Sequence, residues 1–359
     1  MDNYEAAKSV IDHFKIDGRL EAIKVNTQGH INSTFVSTFV DEDGRRTKYT
    51  HQKINQNVFR KPKEVMENIL AVTRHIESKV ADMPDRDRRV LHVVFTKDHQ
   101  PFFIDADGEY WRTYVFIENV NTYDKIPSAD AARSLGRGIG NFQQQLSDFD
   151  GSRLNITIPH FHDMGLRYRQ LDEAIAADVK GRLAGVKDEV DFLMANRERG
   201  CHIWDDFESG KLPNRVTHND TKMNNVLFDP ETDEAVCVID LDTIMPGTIL
   251  FDTGDMIRTA CNTGEEDEKD LSKVSFDVEM YKALTGGYLE KAESFLTETE
   301  KAGIKESGRT ITQIMAVRFL TDYLAGDVYY NIAYSDHNLV RTRTQLALMK
   351  SMDAQWDAF

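Results

Sequence analysis

What is scarce in this 359-residue chain narrows the field first. Cysteine is nearly absent: Cys201, Cys237 and Cys261 are odd in number and widely spaced. Such a set suits reduced thiols in a cytoplasm and argues against a disulfide frame or a zinc site. No stretch approaches the roughly 18 consecutive apolar residues of a membrane span. The opening MDNYEAAKSVIDHF has no basic start leading into an apolar core, so no secretion signal is expected and a cytoplasmic location is. Positive charge is in deficit, with 44 Lys and Arg against 60 Asp and Glu and a formal net charge of −16. A nucleic-acid binder carries a concentrated basic footprint, and none is present. Internal repeats and low-complexity linkers are missing too. What remains is ordinary globular composition, 40% hydrophobic and 29% charged, in a length that suits two structural units of unequal size.

The two units differ in pattern. After a short amphipathic segment through Val10, Ile11 and Phe14 come β-rich runs, STFVSTFV and TKYTHQKIN, flanking a turn with Asp43 and Gly44. RVLHVVF, PFFID and YWRTYVFI continue the pattern to Ile117. Between the second and third runs, Val65, Ile69, Val72 and Ile76 recur at helical spacing in KPKEVMENILAVTRHIESKV. The first unit therefore reads as a five-stranded sheet with one inserted helix. Beyond a short hinge near Ile117 to Asn119, helices take over. Ser128 is placed to cap a helix striped by Ala132, Leu135, Ile139, Phe142, Leu146 and Phe149. Further helical stretches are expected from Asp163 to Arg197, from Phe276 to Phe295, and through RTITQIMAVRFLTDYLAGDVYYNIAY. The expected division is 1–118 for a small β-rich lobe and 119–359 for a larger helical one, an α+β architecture.

One stretch is hard to explain by packing. THNDTKMNNVLFD, Thr217 to Asp229, crowds His, Asp and Asn before an apolar strand, although Asn and Asp weaken both helices and strands. NVLFD and EAVCVIDLD alternate like a hairpin around PETDE, and Asp240 ends its second strand twenty residues after Asp220. A hairpin of that length brings Asp220, Asn225 and Asp240 to one place. Two carboxylates and an amide there suit a hard divalent cation such as Mg²⁺. Phosphoryl transfer uses this set, with one Asp taking the proton of an attacking hydroxyl while Asn and Asp hold metal. The competing explanation is a set of turn-capping residues.

At these residues the chain resembles the aminoglycoside phosphotransferase and choline kinase superfamily, which shares the protein-kinase-like fold. GHINSTF, HFHD, RVTHNDTKMNNVL, IDLDTIMPGTILFDTGD, EDEKDLSKV and HNLVRTRTQ are similar to the bacterial N-acetylhexosamine 1-kinases. The resemblance spans nearly the whole chain. It implies Asp220 as catalytic base, Asn225 and Asp240 as ligands of Mg²⁺, Asp242 as a supporting carboxylate, and ATP as cosubstrate. His218 is expected to shape the loop rather than move protons. The partners implied are ATP and a small-molecule sugar, with no nucleic acid and no membrane.

In the small lobe, TQGHINSTF would be the phosphate-covering turn, with Gly29, His30, Ile31, Asn32 and Ser33 around the phosphates through backbone N–H groups. A plain hairpin turn is the alternative. Kinase-like lobes carry a Lys on the third strand paired with a Glu on the next helix. Here strand alternation places Gln52 at that point, Lys53 on the other face, and Asn68 sixteen residues on as its neutral partner. The rival register pairs Lys53 with Glu64 or Glu67. Phe116, Ile117 and Glu118 would meet adenine through their backbone.

On the acceptor side, Asp322 and Tyr329 follow Arg318 at spacings that share one helical face. Such a row suits a polyhydroxylated sugar, and the resemblance adds Arg318 and Tyr329 as sugar ligands, with Asp220 facing the same acceptor. An Arg318–Asp322 salt bridge is the competing explanation. Asp252 and Asp255 are expected to cap the turn after the metal strand, HFHD to pack and cap, and GEEDEKD to form a solvated loop or lid. Thr259 replaces an aromatic of the sugar 1-kinases and bears on acceptor choice. The activity expected is transfer of phosphate from ATP to the anomeric hydroxyl of an N-acetylhexosamine. Alternatives are a kinase for another sugar, a cyclitol or an amino alcohol, or an inert nucleotide-binding pseudokinase, for which Gln52 is the one support.

Overall fold

The computed structural model describes residues 3–26 and 31–359. Its first part is α1 (Asn3–Ile11), β1 (Arg19–Asn26), β2 (Ser33–Val40), β3 (Arg46–Lys53), α2 (Pro62–Val80), β4 (Val93–Val94), β5 (Phe103–Ile104) and β6 (Tyr110–Val115). These strands form one antiparallel sheet in the order β1-β2-β3-β6-β4, with β5 also on β6. The sheet has six strands, not the five expected. The extra one, β1, hides in RLEAIKVN, where a register shift between Leu20 and Ala22 breaks the alternation. As an edge strand with mostly exposed side chains, it had no apolar face to announce it.

The two faces of the sheet have different fates. Phe35 and Trp111 pack with Ala7, Val10 and Phe14 beneath α1, forming a small apolar cluster. The opposite face carries Gln52, Arg112 and Tyr114 toward the cleft. Helix α2 begins at Pro62, where a missing N–H costs nothing. Its buried stripe of Val65, Met66, Ile69, Val72, Ile76 and Val80 belongs to the large core that also holds Leu135, Ile139, Ile244 and Leu320.

The second part contains α3 (Ala129–Gln145), α4 (Met164–Ala177), α5 (Lys187–Ala195), α6 (Arg197–Glu208), β7 (Arg215–Thr217), β8 (Val226–Phe228), β9 (Ala235–Val238), β10 (Met245–Gly247), α7 (Ile249–Ala260), α8 (Val278–Ala292), α9 (Glu298–Ala325) and α10 (His337–Ala354). Ser128 caps α3 as expected, accepting from Ala131 N–H. Asp178, left-handed at φ 34°, ends α4 and splits the helical stretch predicted from Asp163 to Arg197. Helix α9 starts with a capping box, Thr297 and Glu300, and stops at Gly326, whose φ of 97° is left-handed. Tyr329 is therefore not on the helix of Arg318, and a shared helical face is not what relates them.

Candidate active site

The loop before β8 is built by hydrogen bonds from several directions. Asp252, on α7 and fully buried, accepts from the backbone N–H of His218 (3.0 Å) and Asn219 (2.7 Å) and from Gln143 Nε2 (2.9 Å). It thus braces the loop before β8, rather than capping its own turn as expected. His218 is buried between Ile239 O, 2.8 Å from Nε2, and Asp220 N–H, 3.2 Å from Nδ1. Both ring nitrogens are committed to shaping the loop. Asn219 adopts φ 66° and donates Nδ2 to Thr217 O and Thr243 O, tying the loop to the segment after Asp240. Asn and Asp are the residues that tolerate this conformation, which accounts for their density here.

These constraints bring Asp220, Asn225 and Asp240 together. Asn225 donates Nδ2 to Asp220 Oδ2 (3.0 Å) and Asp220 O (2.8 Å), while its own carbonyl accepts from Ile239 N–H (2.8 Å). Lys222 Nζ stands 3.1 Å from Asp220 Oδ2. Burial alone would raise the Asp220 pKa, but Lys222, His218 and Asn225 together hold it below the ordinary value, so the carboxylate is charged. Lys222 in turn is raised, chiefly by Asp220 and despite its own burial. Lys222 was in the quoted motif but drew no role there; its place two residues after Asp220 was the available signal.

Asp240 is left-handed at φ 60° and open to the cleft. Restricted solvation, then Asp242 and Asp220, push its carboxyl up to about 6. Crowded carboxylates of this kind are what a divalent cation relieves. Asn225 spends its amide nitrogen on Asp220, which leaves its oxygen beside the same space. The donors present, oxygen from Asp240 and Asn225, fit a hard cation.

Above this floor, Gln52 lies directly opposite Arg112 in the β3–β6 register. Gln52 accepts from Arg112 Nε (3.0 Å) and donates to Thr34 Oγ1 (3.2 Å). The expected Gln52–Asn68 pair does not form. Asn68 instead crosses to the large lobe, donating to Asn155 O (2.8 Å) and Ile244 O (2.9 Å) and accepting from Asn155 N–H (2.8 Å). The residue that partners Gln52, Arg112, was missed because it sits inside the apolar-looking YWRTYVFI. It is 1% exposed and ion-paired through Nη1 with the equally buried Asp242. Burial by itself would lower its pKa, but Asp242 keeps it firmly charged. Asn32 donates Nδ2 to the other oxygen of Asp242 (2.7 Å) and accepts from Asn55 N–H (3.0 Å). Ile31 is exposed, and Ser33 opens β2. Gly29 and His30 lie outside the described residues. At the hinge, Phe116 N–H donates to Lys48 O at 3.0 Å. The Glu118 side chain pairs with Lys48 at 2.6 Å.

At the far side, Asp322 accepts from the backbone N–H groups of Val328, Tyr329 and Tyr330 and from Asn338 Nδ2. Among the described residues it makes no salt bridge with Arg318, because its oxygens are spent on this turn. The turn folds Tyr329 back to Arg318, whose guanidinium lies 5.8 Å from that ring and 5.5 Å from those of Tyr330 and Phe161. His160 and Asp163 of HFHD pair at 3.1 Å, and Asp163 caps α4. His162 is buried under the site, its pKa pushed down to about 3 by burial first and then by Arg318 and Arg167. Thr259 bonds back to Asp255 O within α7 (2.9 Å). The segment GEEDEKD is more anchored than a solvated loop: Glu266 meets Arg258 and Asp267 meets His337, each at 3.1 Å.

A β-sheet lobe over a helical lobe, with Asp220, Asn225 and Asp240 in the cleft between them, defines the protein-kinase-like α+β fold of small-molecule phosphotransferases. The profile of the phosphotransferase enzyme family matches residues 59–276, and the chain belongs to that family. Solved structures with the same fold include an aminoglycoside phosphotransferase from Alicyclobacillus acidocaldarius, at 13% identity and TM-score 0.60 over 99% of this chain and 96% of that one. The microcompartment-associated aminopropanol kinase matches at 14% identity and TM-score 0.66, over 99% and 98%. Amicoumacin kinase, solved with AMP-PNP, Ca²⁺ and Ami, matches at 14% and 0.60, over 98% and 94%. Among the described residues, no helix is long and apolar enough to cross a membrane.

Proposed function

We propose that this phosphotransferase moves the γ-phosphoryl group of ATP to the anomeric hydroxyl of a free sugar, most readily an N-acetylhexosamine. The observation that carries the kinase reading is the meeting of a charged Asp220 with Lys222, Asn225 and Asp240 in one cleft. Asp220 accepts the proton of the attacking hydroxyl, and Asn225 and Lys222 fix its orientation. Asp240 and Asn225 would hold a divalent cation such as Mg²⁺, which supplies charge neutralisation between the phosphates when bound. Lys222 adds positive charge beside the same oxygens. An anomeric hydroxyl is more acidic than an ordinary alcohol, so a weak base such as Asp220 moves its proton less far uphill.

The acceptor side supports a sugar over an amino alcohol. Arg318 is framed by the rings of Phe161, Tyr329 and Tyr330, and no carboxylate reaches it among the described residues. Aromatic faces with a fixed donor suit the apolar face and hydroxyls of a sugar ring. A cationic amine would instead meet like charge from Arg318. The 1-kinase reading leans on the motif resemblance of the chain, and Asp220, Arg318 and Tyr329 are its proposed acceptor contacts.

The test is ADP release over a panel of free sugars, sugar alcohols and amino alcohols, with the product linkage read by phosphorus NMR. A sugar 1-phosphate is expected, and a 1,5-anhydro analogue of the preferred sugar should be inert. Phosphorylation of that analogue at the parent rate, or turnover of amino alcohols alone, would overturn the sugar 1-kinase reading.

A further inference from the structure

We infer that Arg112, on β6, is the cation that this chain presents to the phosphates of its nucleotide, in the place where the kinase-like lobe has a lysine on β3. The inference rests on the phosphoryl-transfer reading above. Its first support is position. Arg112 lies directly across from Gln52, on the sheet face that looks into the cleft. Gln52 cannot supply charge, yet it fixes the guanidinium by accepting from Nε at 3.0 Å. A neutral residue on one strand and a cation on its neighbour thus share the task of one lysine.

The second support is what the guanidinium joins. Nη1 pairs with Asp242, and the other Asp242 oxygen accepts from Asn32 Nδ2 at 2.7 Å. Asn32 lies just before β2, in the turn expected from the sequence to cover the phosphates, and Asp242 is two residues past Asp240. Arg112 therefore stands where the covering turn meets the strand end that carries Asp240. Phosphates bound between those two elements have this guanidinium as their neighbour. A guanidinium has five N–H donors, and with Gln52 on Nε and Asp242 facing Nη1 these two partners do not exhaust them.

The third support is energetic. Two charges at 1% and 3% side-chain exposure have lost most of their hydration. A buried ion pair seldom repays that loss, and apolar residues of similar size commonly stabilise as well or better. Stability alone therefore gives little reason to keep Arg112 and Asp242 here. Recognition of a polyanion does give one, since a guanidinium held in a fixed plane binds phosphate oxygens with directed donors.

The experiment compares ADP with adenosine, which shares the base and ribose but has no phosphates. Binding to the full chain is measured by calorimetry for the wild type, Arg112→Lys and Arg112→Met. Arg112→Met should weaken ADP by about ten- to a hundredfold, the range of a charge-assisted hydrogen bond, and leave adenosine unchanged. Arg112→Lys should recover part of the loss. If Arg112→Met fails to fold because Asp242 is left unpaired, the neutral double variant Arg112→Gln with Asp242→Asn replaces it, with the same phosphate-selective loss expected. Equal losses for ADP and adenosine would reduce Arg112 to a structural role, and unchanged ADP binding would remove it from the site. A wild type that binds ADP no better than adenosine would instead fault the phosphoryl-transfer reading itself.

Discussion

Asp220 is the carboxylate on which the proposed chemistry turns, and its surroundings say how its loss should show. Asn225 and Lys222 hold it in place, while Asp252 and His218 brace the loop separately. Asp220→Asn should therefore stay folded and retain ADP binding, with some loss of stability as Lys222 loses its ion-pair partner, while turnover falls by about 10²–10⁴, the range for removing a positioned general base. Steady-state kinetics with the preferred acceptor, beside a melting curve, checks both halves. Normal turnover would move the base elsewhere. At this scale the sequence was informative where spacing carried the chemistry: Asp220, Asn225 and Asp240 could be placed together from a hairpin's length. Lys222 and Arg112 were not legible in the same way. A lysine beside an aspartate is unremarkable in a line of text, and an arginine within an aromatic strand reads as a surface residue until its neighbours are known.

Strand β3 presents opposite chemistries on its two faces, and the hidden one makes a pH prediction. His51 is fully buried between Ser37 Oγ, 2.7 Å from Nε2, and Thr113 Oγ1, 2.8 Å from Nδ1. Burial pushes its pKa down from 6.5 to about 4. Between those values the unfolded chain binds the proton and the folded chain does not. The stabilisation is therefore complete above about 6.5 and is lost as pH falls through about 4. The effect is on the order of 3 kcal/mol across the window, at 1.36 kcal/mol per pKa unit. Urea unfolding at pH 7 and pH 5 should show the wild type weaker at pH 5, and His51→Gln should flatten that difference. His162 acts with the same sign and Asp240, raised to about 6, with the opposite one, so a residual slope is expected. Elements were legible in the sequence when their pattern was regular, as with α2 and α3. They were lost at edges and ends. The bulge in β1 spoiled its alternation, and a single glycine, Gly326, ended α9 inside a stretch that otherwise kept a helical appearance.

For the whole molecule, the sequence separated a β-rich part from a helical part because side-chain periodicity changes near the hinge. It did not show how the two are fastened. Asn68 donates to Asn155 O and Ile244 O, and the apolar stripe of α2 is continuous with the core of the helical part. The sheet has its own small cluster under α1 and reaches the second part through Tyr114, in the large core, and through the Arg112–Asp242 pair. Helix α2 is thus encoded with the first part and anchored to the second. If a nucleotide moves the first part, the expected moving body is the sheet with its α1 cover, with α2 staying behind as a fixed post. Such a swing has to bend the chain at three places, residues 54–61, 81–92 and 116–119. Hydrogen–deuterium exchange with and without ADP should reveal this division. Added protection should gather in β1, β2, β3 and those three connecting segments, with α2 exchanging as slowly as α3 in both states. If α2 instead gains protection together with the sheet, the post moves with it and the swinging body is the entire first lobe.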